Sequence, residues 1–226
     1  MNSLRDGEFE PIADDALVLR VGNSIDAPTN ARVHALCEII RAQQPLWLRD
    51  LVPAYASVGV FFDPLLIEAD ALKAWLRKVL AMLPADAQTT VAPARIVEIP
   101  VVYGGEAGPD LESAAAELGM TPVDLAKRHA ACEYTVAMIG FAPGFPYLLG
   151  LDPALALPRL ATPRTSVPAG CVGIGGTQTG IYPRESPGGW RLIGRTPLAL
   201  FDPSRDEPAL LAPGDRVRFV AMDAAR

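Results

Sequence analysis

The stretch beyond Cys132 restricts this chain more than any other part of it, because it is dense in proline and glycine and broken into short apolar pieces. Proline fixes φ and removes a backbone donor, and glycine opens turn conformations that other residues avoid. Many short strands joined by such turns make a closed β-barrel or a sandwich. The ending Pro213-Gly214-Asp215-Arg216-Val217-Arg218-Phe219-Val220 reads as a turn feeding an alternating strand.

The first ninety residues alternate strand and helix signals. Residues 16–21 form a strand with Leu17, Leu19 and Val21 on one face. Asn30 is read as the N-cap of a helix whose Val33, Leu36, Cys37 and Ile40 recur at helical spacing. Two strand-like pieces follow at 46–52 and 57–62, the second alternating Val58, Val60 and Phe62. Asp70 is read as the cap of the clearest helix, whose stripe is Leu72, Trp75, Leu76, Val79, Leu80 and Leu83. The order β-α-β-β-α predicts a small α+β domain, ferredoxin-like, over residues 1–90. The polar segment 84–93, ending in proline, is the expected linker. A strand follows at Ile96, Val97, Ile99, Val101 and Val102, then two short helices at 110–118 and 121–131. Thr121 caps the second, with Pro122 at its first position. Residues 91–226 are expected to form the second domain, which carries the site.

Half of the 226 residues are hydrophobic, ample for a core. A net charge of −6 argues against a nucleic-acid partner, since phosphate binding needs clustered Lys and Arg. Cys37, Cys132 and Cys171 are odd in number and widely spaced, which is not a disulfide framework. No basic n-region precedes an apolar run at the start, and no stretch approaches the ~18 apolar residues of a membrane span. The expected location is the cytoplasm.

Three motifs are tested and set aside. The run Gly173-Ile174-Gly175-Gly176-Thr177-Gln178-Thr179-Gly180 has Ile181 where a phosphate loop needs lysine, and Gln178 where a dinucleotide loop needs its third glycine. His-x-x-Cys occurs at His34/Cys37 and His129/Cys132, but Cys37 belongs to an apolar stripe and no further ligand cluster appears, so no metal is expected. Residues 114–126 have the outline of a helix-turn-helix, yet Pro122, Val123 and Asp124 stand where base-reading side chains should be. A helical hairpin packed on the barrel is the preferred reading.

Two stretches carry more chemistry. Residues 140–151 hold Phe141, Phe145 and Tyr147 among prolines and Gly144, aromatic rings that either wall a pocket or fill a core. From Pro158-Arg159 to Ile193-Gly194-Arg195-Thr196-Pro197, arginines sit on proline-stiffened loops. Arginine's planar fork suits carboxylate and phosphate, and a stiff loop loses less entropy on binding.

These residues resemble the family of 5-oxoprolinase B subunits, also called allophanate hydrolase subunit 1, which includes an inhibitor of a sporulation histidine kinase. The likeness runs through Tyr103-Gly104-Gly105-Glu106, Gly108-Pro109-Asp110-Leu111, Gly140-Phe141 with Pro143-Gly144-Phe145, Pro163-Arg164 and Val167-Pro168-Ala169-Gly170. It continues in Gln178-Thr179-Gly180-Ile181-Tyr182-Pro183, Ser186-Pro187-Gly188-Gly189-Trp190 and Gly194-Arg195-Thr196-Pro197. Cys171 departs from it, since the family more often has serine there. The resemblance implies a cyclophilin-like β-barrel after the α+β domain. It also implies ATP-dependent opening of 5-oxoproline to L-glutamate together with two partners, the homologous C subunit of 5-oxoprolinase and its A subunit. ATP with Mg would be shared with those partners. Related domains occur in urea carboxylase.

Within that framework Arg164 and Arg195 are expected to clamp the anion, with Arg159, Phe145 and Tyr147 completing the substrate pocket. Gln178 would hydrogen-bond the amide, Tyr182 orient it, and His129 transfer protons, unless His129 merely satisfies carbonyls at a helix end. Two rival functions stand beside this one: a regulator that docks its barrel on a histidine kinase, and carboxyl transfer with a biotinylated partner in urea degradation.

Overall fold

The computed structural model describes residues 7–83 and 95–222. The expected linker, 84–93, and the expected boundary at 90/91 lie outside the described residues. The chain separates into two compact units, 1–93 and 94–226.

The first unit is a four-stranded antiparallel sheet with two helices. Its elements are β1 (Phe9–Ala13), β2 (Ala16–Arg20), α1 (Ala27–Ala42), β3 (Leu48–Pro53), β4 (Ser57–Phe62) and α2 (Ala69–Ala81), with strand order β1-β2-β4-β3. The expected β-α-β-β-α succession is therefore present from β2 to α2, with β1 added ahead of it at the sheet edge. The apolar residues of β2 and β4 and the stripes of both helices meet in one core that includes Leu19, Val33, Ile40, Val60, Leu72 and Leu76. Trp47 and Trp75 meet edge to face, with centroids 5.1 Å apart.

Both expected caps are corrected. Helix α1 is capped four residues before Asn30, by Asp26, whose carboxylate accepts the Thr29 N–H at 2.7 Å. Asn30 lies inside the helix, where the N–H groups already bond to preceding carbonyls, so its side chain turns outward from the helix. There its amide donates to the carbonyls of Ala54 and Tyr55 in the β3–β4 turn. Helix α2 starts at Ala69 behind Glu68, which makes no side-chain cap bond, and Asp70 falls in the first turn, where its charge favours the helix dipole.

The second unit is a closed barrel of seven strands in the order β10-β7-β6-β13-β5-β12-β9. In chain order it comprises β5 (Ile96–Tyr103), α3 (Leu111–Glu117), α4 (Pro122–Ala131), β6 (Glu133–Ile139), β7 (Pro146–Leu149), β8 (Arg164–Val167), β9 (Cys171–Gly175), β10 (Gln178–Ile181), β11 (Ser186–Gly188), β12 (Arg191–Arg195) and β13 (Arg216–Met222). Its last strand runs parallel to its first over seven residue pairs, from Arg216 opposite Ile96 to Met222 opposite Val102. Strands β8 and β11 form a separate two-stranded ribbon. The expected helical hairpin is found: α3 and α4 pack on each other, α3 on β12 and α4 on β13. Thr121 caps α4 as expected, accepting the Asp124 N–H at 3.1 Å.

Alternation along the barrel strands separates two cores. Val172 and Ile174 of β9, Ile181 of β10, Leu148 of β7 and Ile193 of β12 belong to the interior cluster. Cys171, Tyr182, Leu192, Phe145 and Trp190 form a second cluster with Val167 of the ribbon. Among the described residues no helix is long and apolar enough to cross a membrane.

Candidate functional site

The Gly-rich run that fails as a phosphate loop has another use. Gly173, Gly175 and Gly180 stand at alternate positions to Val172, Ile174 and Ile181, so they face the second cluster. A β-carbon on Gly175 would lie 2.7 Å from the indole of Trp190, one on Gly173 3.1 Å from its Cβ, and one on Gly180 3.1 Å from its ring. Such approaches leave no room for a side chain, so the three glycines form the bed on which Trp190 lies. The ribbon strand β11 adds Gly188, where a β-carbon would run into the Tyr182 hydroxyl oxygen.

Phe145 is the hub of this layer. Its ring centroid lies 5.4 Å from Phe141, 4.9 Å from Tyr147, 5.2 Å from Tyr182 and 5.7 Å from Trp190. Such pairs contribute about 0.5–1.5 kcal/mol each beyond their buried area. The rings wall a cavity of about 190 Å³, together with Arg159, Leu160, Pro163, Pro187, Gly188 and Gly189. Arg159 is the one charged residue of that lining, its guanidinium 5.8 Å from the Trp190 ring centre. The backbone on either side of it is pinned: Pro158 O accepts from Arg191 Nε, and Leu160 N–H donates to Gly189 O at 2.7 Å. Burial raises the phenol pKa of Tyr182, an effect that a hydrogen bond from the Trp190 backbone partly offsets.

A second, wider cavity of about 920 Å³ is lined by Tyr103, Gly104, Gly105, Glu106, Arg195, Thr196 and Met222 among others. Its Arg195 is exposed, and Nε donates to the Ala169 carbonyl at 2.8 Å.

The structure thus brings Phe145, Tyr147, Arg159 and Tyr182 together around one cavity and separates the other four expected residues from it. Arg164 lines neither cavity, and its Nη2 donates to Asp110 Oδ1 at 2.6 Å. Arg195 belongs to the wider cavity. Gln178 lines neither, because a two-residue turn, Gly176-Thr177, sets it at the end of the β9–β10 hairpin opposite Gly175.

His129 is fully buried in the barrel beside Phe219 and Tyr134. Thr179 Oγ1 donates to Gly173 O at 2.9 Å, so it accepts from His129 Nε2 at 3.0 Å, and Nδ1 accepts the Tyr103 hydroxyl at 2.8 Å. Burial lowers its pKa from 6.5 to about 3. This neutral imidazole, engaged at both nitrogens, makes a polar clasp across the barrel, and His129 lines neither cavity. His34 is likewise engaged, with Asn30 Oδ1 at 3.0 Å from Nε2, and no three metal-ligating side chains converge among the described residues. Cys171 packs in the outer cluster, and burial raises its thiol pKa, so it acts as a small apolar filler.

Sequence reasoning met Trp190 and Asp110 only inside longer motifs and gave neither a role. For Trp190 a signal existed in the alternate glycines of one strand, which leave a groove that a large ring can fill. For Asp110 none did, since its partners lie 54 and 82 residues away.

A closed barrel with an outer aromatic layer, joined in one chain to a small α+β unit, is the arrangement of a known class. The chain matches the carboxyltransferase domain, subdomain C and D, over residues 7–211 and belongs to that family. Within it, the chain belongs with the B subunits of 5-oxoprolinase: it is 43% identical over 225 residues to the 5-oxoprolinase B subunit of Bacillus subtilis (strain 168), covering 95% of this chain and 92% of that one. A urea amidolyase of Lachancea kluyveri is 46% identical over 61 residues, 25% of this chain and 3% of that one. Among solved structures, TTHA0988 superposes with a TM-score of 0.79 at 40% identity, covering 93% of this chain. This chain spans only 40% of the TTHA0988 chain.

Proposed function

We propose that this chain is the B subunit of a cytoplasmic, ATP-dependent 5-oxoprolinase that opens 5-oxoproline to L-glutamate together with the A and C subunits of that enzyme. The observation that carries the reading is the aromatic cavity with its single cation, set beside the likeness to 5-oxoprolinase B subunits. A lactam resists hydrolysis because amide resonance must be lost, and ATP supplies the free energy. This chain's residues fit the lactam better than the nucleotide. At about 190 Å³ the aromatic cavity is smaller than the roughly 300–1,000 Å³ of sites for drug-sized ligands. Neither cavity offers more than one arginine, and neither has a lysine. We therefore assign ATP and its Mg chiefly to the partner chains.

On this reading Arg159 takes the substrate carboxylate while the rings exclude water from the lactam, which strengthens every polar contact made to it. The barrel is read as cyclophilin-like, and the first unit as ferredoxin-like with β1 at its free edge.

Co-expression with candidate A and C subunits, followed by an assay for ATP-dependent glutamate release, tests the proposal. Release only when all three chains are present supports it. Turnover of urea with a biotin-carrying partner instead, or inhibition of a histidine kinase without any turnover, would replace it with one of the two rival functions.

A further inference from the structure

Phe141 combines three properties that rarely meet. Its φ is +66°, the residue is 61% exposed, and it lines the aromatic cavity. The Ala142 N–H donates back to the Gly140 carbonyl at 2.7 Å, closing a γ-turn of the positive-φ kind around Phe141. That turn is strained for any residue with a β-carbon, at a cost on the order of 1–3 kcal/mol. The next four residues hold it: Phe145 N–H donates to Ala142 O around Pro143 and Gly144, whose φ is +77°, and Gly140 N–H donates to Phe145 O. Proline then glycine at these positions is the sequence of a type II turn. A rigid turn therefore presents a large apolar ring to water, in a backbone conformation that glycine would adopt without strain.

Arg159 stands on the same cavity. No described carboxylate lies within ion-pair distance of it, its flanking backbone is pinned on both sides, and its guanidinium lies 5.8 Å from the Trp190 ring centre. The guanidinium fork of this exposed arginine is left for a ligand, and such a fork matches a carboxylate.

We propose that Phe141 and Arg159 are the specificity-determining residues of this cavity: Phe141 covers the face of a small ring held against Phe145 and Tyr147, and Arg159 selects a ring that carries a carboxylate. The ligand class is a five- or six-membered planar or nearly planar ring with one carboxylate. This rests on the reading of 5-oxoproline as substrate and deepens it by placing the compound on this chain.

The test uses the full chain with Trp47→Phe and Trp75→Phe, which leaves Trp190 as the sole tryptophan and selectively excitable at the red edge, and calorimetric titration of the unaltered chain as a check that those substitutions do no harm. The probes are 5-oxoproline, pyrrole-2-carboxylate, 2-pyrrolidone and L-glutamate. Trp190 emission should respond to both ring carboxylates, with at least 10-fold weaker binding of 2-pyrrolidone and of L-glutamate. Arg159→Gln should weaken 5-oxoproline binding at least 10-fold and leave 2-pyrrolidone unchanged. Phe141→Gly should weaken both ring carboxylates about 5-fold or more while the melting temperature stays level or rises, a combination that a purely structural role does not give. Equal binding of 5-oxoproline and 2-pyrrolidone, unaltered isotherms in either variant, or no response to any ring carboxylate would overturn the proposal. Binding of pyrrole-2-carboxylate alone, with no 5-oxoproline turnover by the three chains assembled, would remove the substrate reading and leave the cavity assignment standing.

Discussion

Arg164 and Asp110, 54 residues apart, share a 2.6 Å hydrogen bond, and the other oxygen of the same carboxylate accepts the Leu192 N–H at 2.7 Å. One side chain thus joins the ribbon strand β8, the start of α3 and the barrel strand β12. Because β8 pairs with β11, which carries Pro187 and Gly188 to the aromatic cavity, this clasp also sets the cavity's roof.

Asp110→Asn should therefore destabilise the chain by about 2 kcal/mol, the value of a hydrogen bond to a charged group. Chemical denaturation measures it. In a double-mutant cycle with Arg164→Gln the two costs should fall well short of additive. Additivity would mean that the pair does not act as a unit.

His129 gives a pH signature. Its folded pKa lies near 3 against an ordinary 6.5, so between those values the unfolded chain binds a proton that the folded chain refuses. The stability contributed by neutral His129 is complete above about pH 6.5 and is lost as pH falls toward 3, by about 1.4 kcal/mol per unit. His129→Gln removes the titration. The variant should be less stable than the parent at pH 7 by about 1–3 kcal/mol, and the gap should narrow on acidification to pH 4.5. Thermal melts at four pH values would show this, and a gap that stays constant contradicts it.

Gly170 has φ +82°, and a β-carbon there would collide with the Thr196 carbonyl oxygen. The backbone cannot retreat, since Gly170 N–H donates to Tyr182 O and its carbonyl accepts from Thr196 N–H. Gly170→Ala should cost about 2 kcal/mol or more, read from the denaturation midpoint. Gly176 also has a positive φ but nothing within 4 Å of its β-position, so Gly176→Ala should cost less.

In the first unit, Asp26→Ala should lose about 1 kcal/mol, the usual value of an N-cap. Asn30→Ala should lose more, because it strips the carbonyls of Ala54 and Tyr55 of a donor. The reverse order in melts of the two variants would return the capping role to Asn30.

What could be read from the sequence follows from how local its causes are. The stripes of α1 and α2, the Thr121-Pro122 helix start and the alternation in β4 depend on neighbours within a few residues, and they are legible there. Strand β1 is not, because Glu10, Pro11 and the short alanine end at Ala13 hide it. An edge strand tolerates all three, since one side of its backbone faces solvent. The arginines mislead for a different reason. Each looks alike in sequence, yet Arg164 meets Asp110, Arg195 meets the Ala169 carbonyl and Arg159 meets an indole face. Only the folded chain decides which charge is left for a ligand. The aromatic half of the cavity fares better, as Phe145, Tyr147 and Tyr182 converge because strand alternation puts them on one side of the wall.

The parallel pairing of β5 with β13 has a consequence for synthesis. Strand β13 is the wedge between β5 and β6, so the ring of strands stays open while residues 96–215 leave the ribosome. During that interval β5 and β6 each present an unpaired backbone edge, the feature that recruits foreign strands. The seam is sewn by contacts some 120 residues apart, which makes closure slow. Residues 216–222, made after every other strand of the ring, thus decide whether a nascent barrel is sealed or stays an open, adhesive sheet.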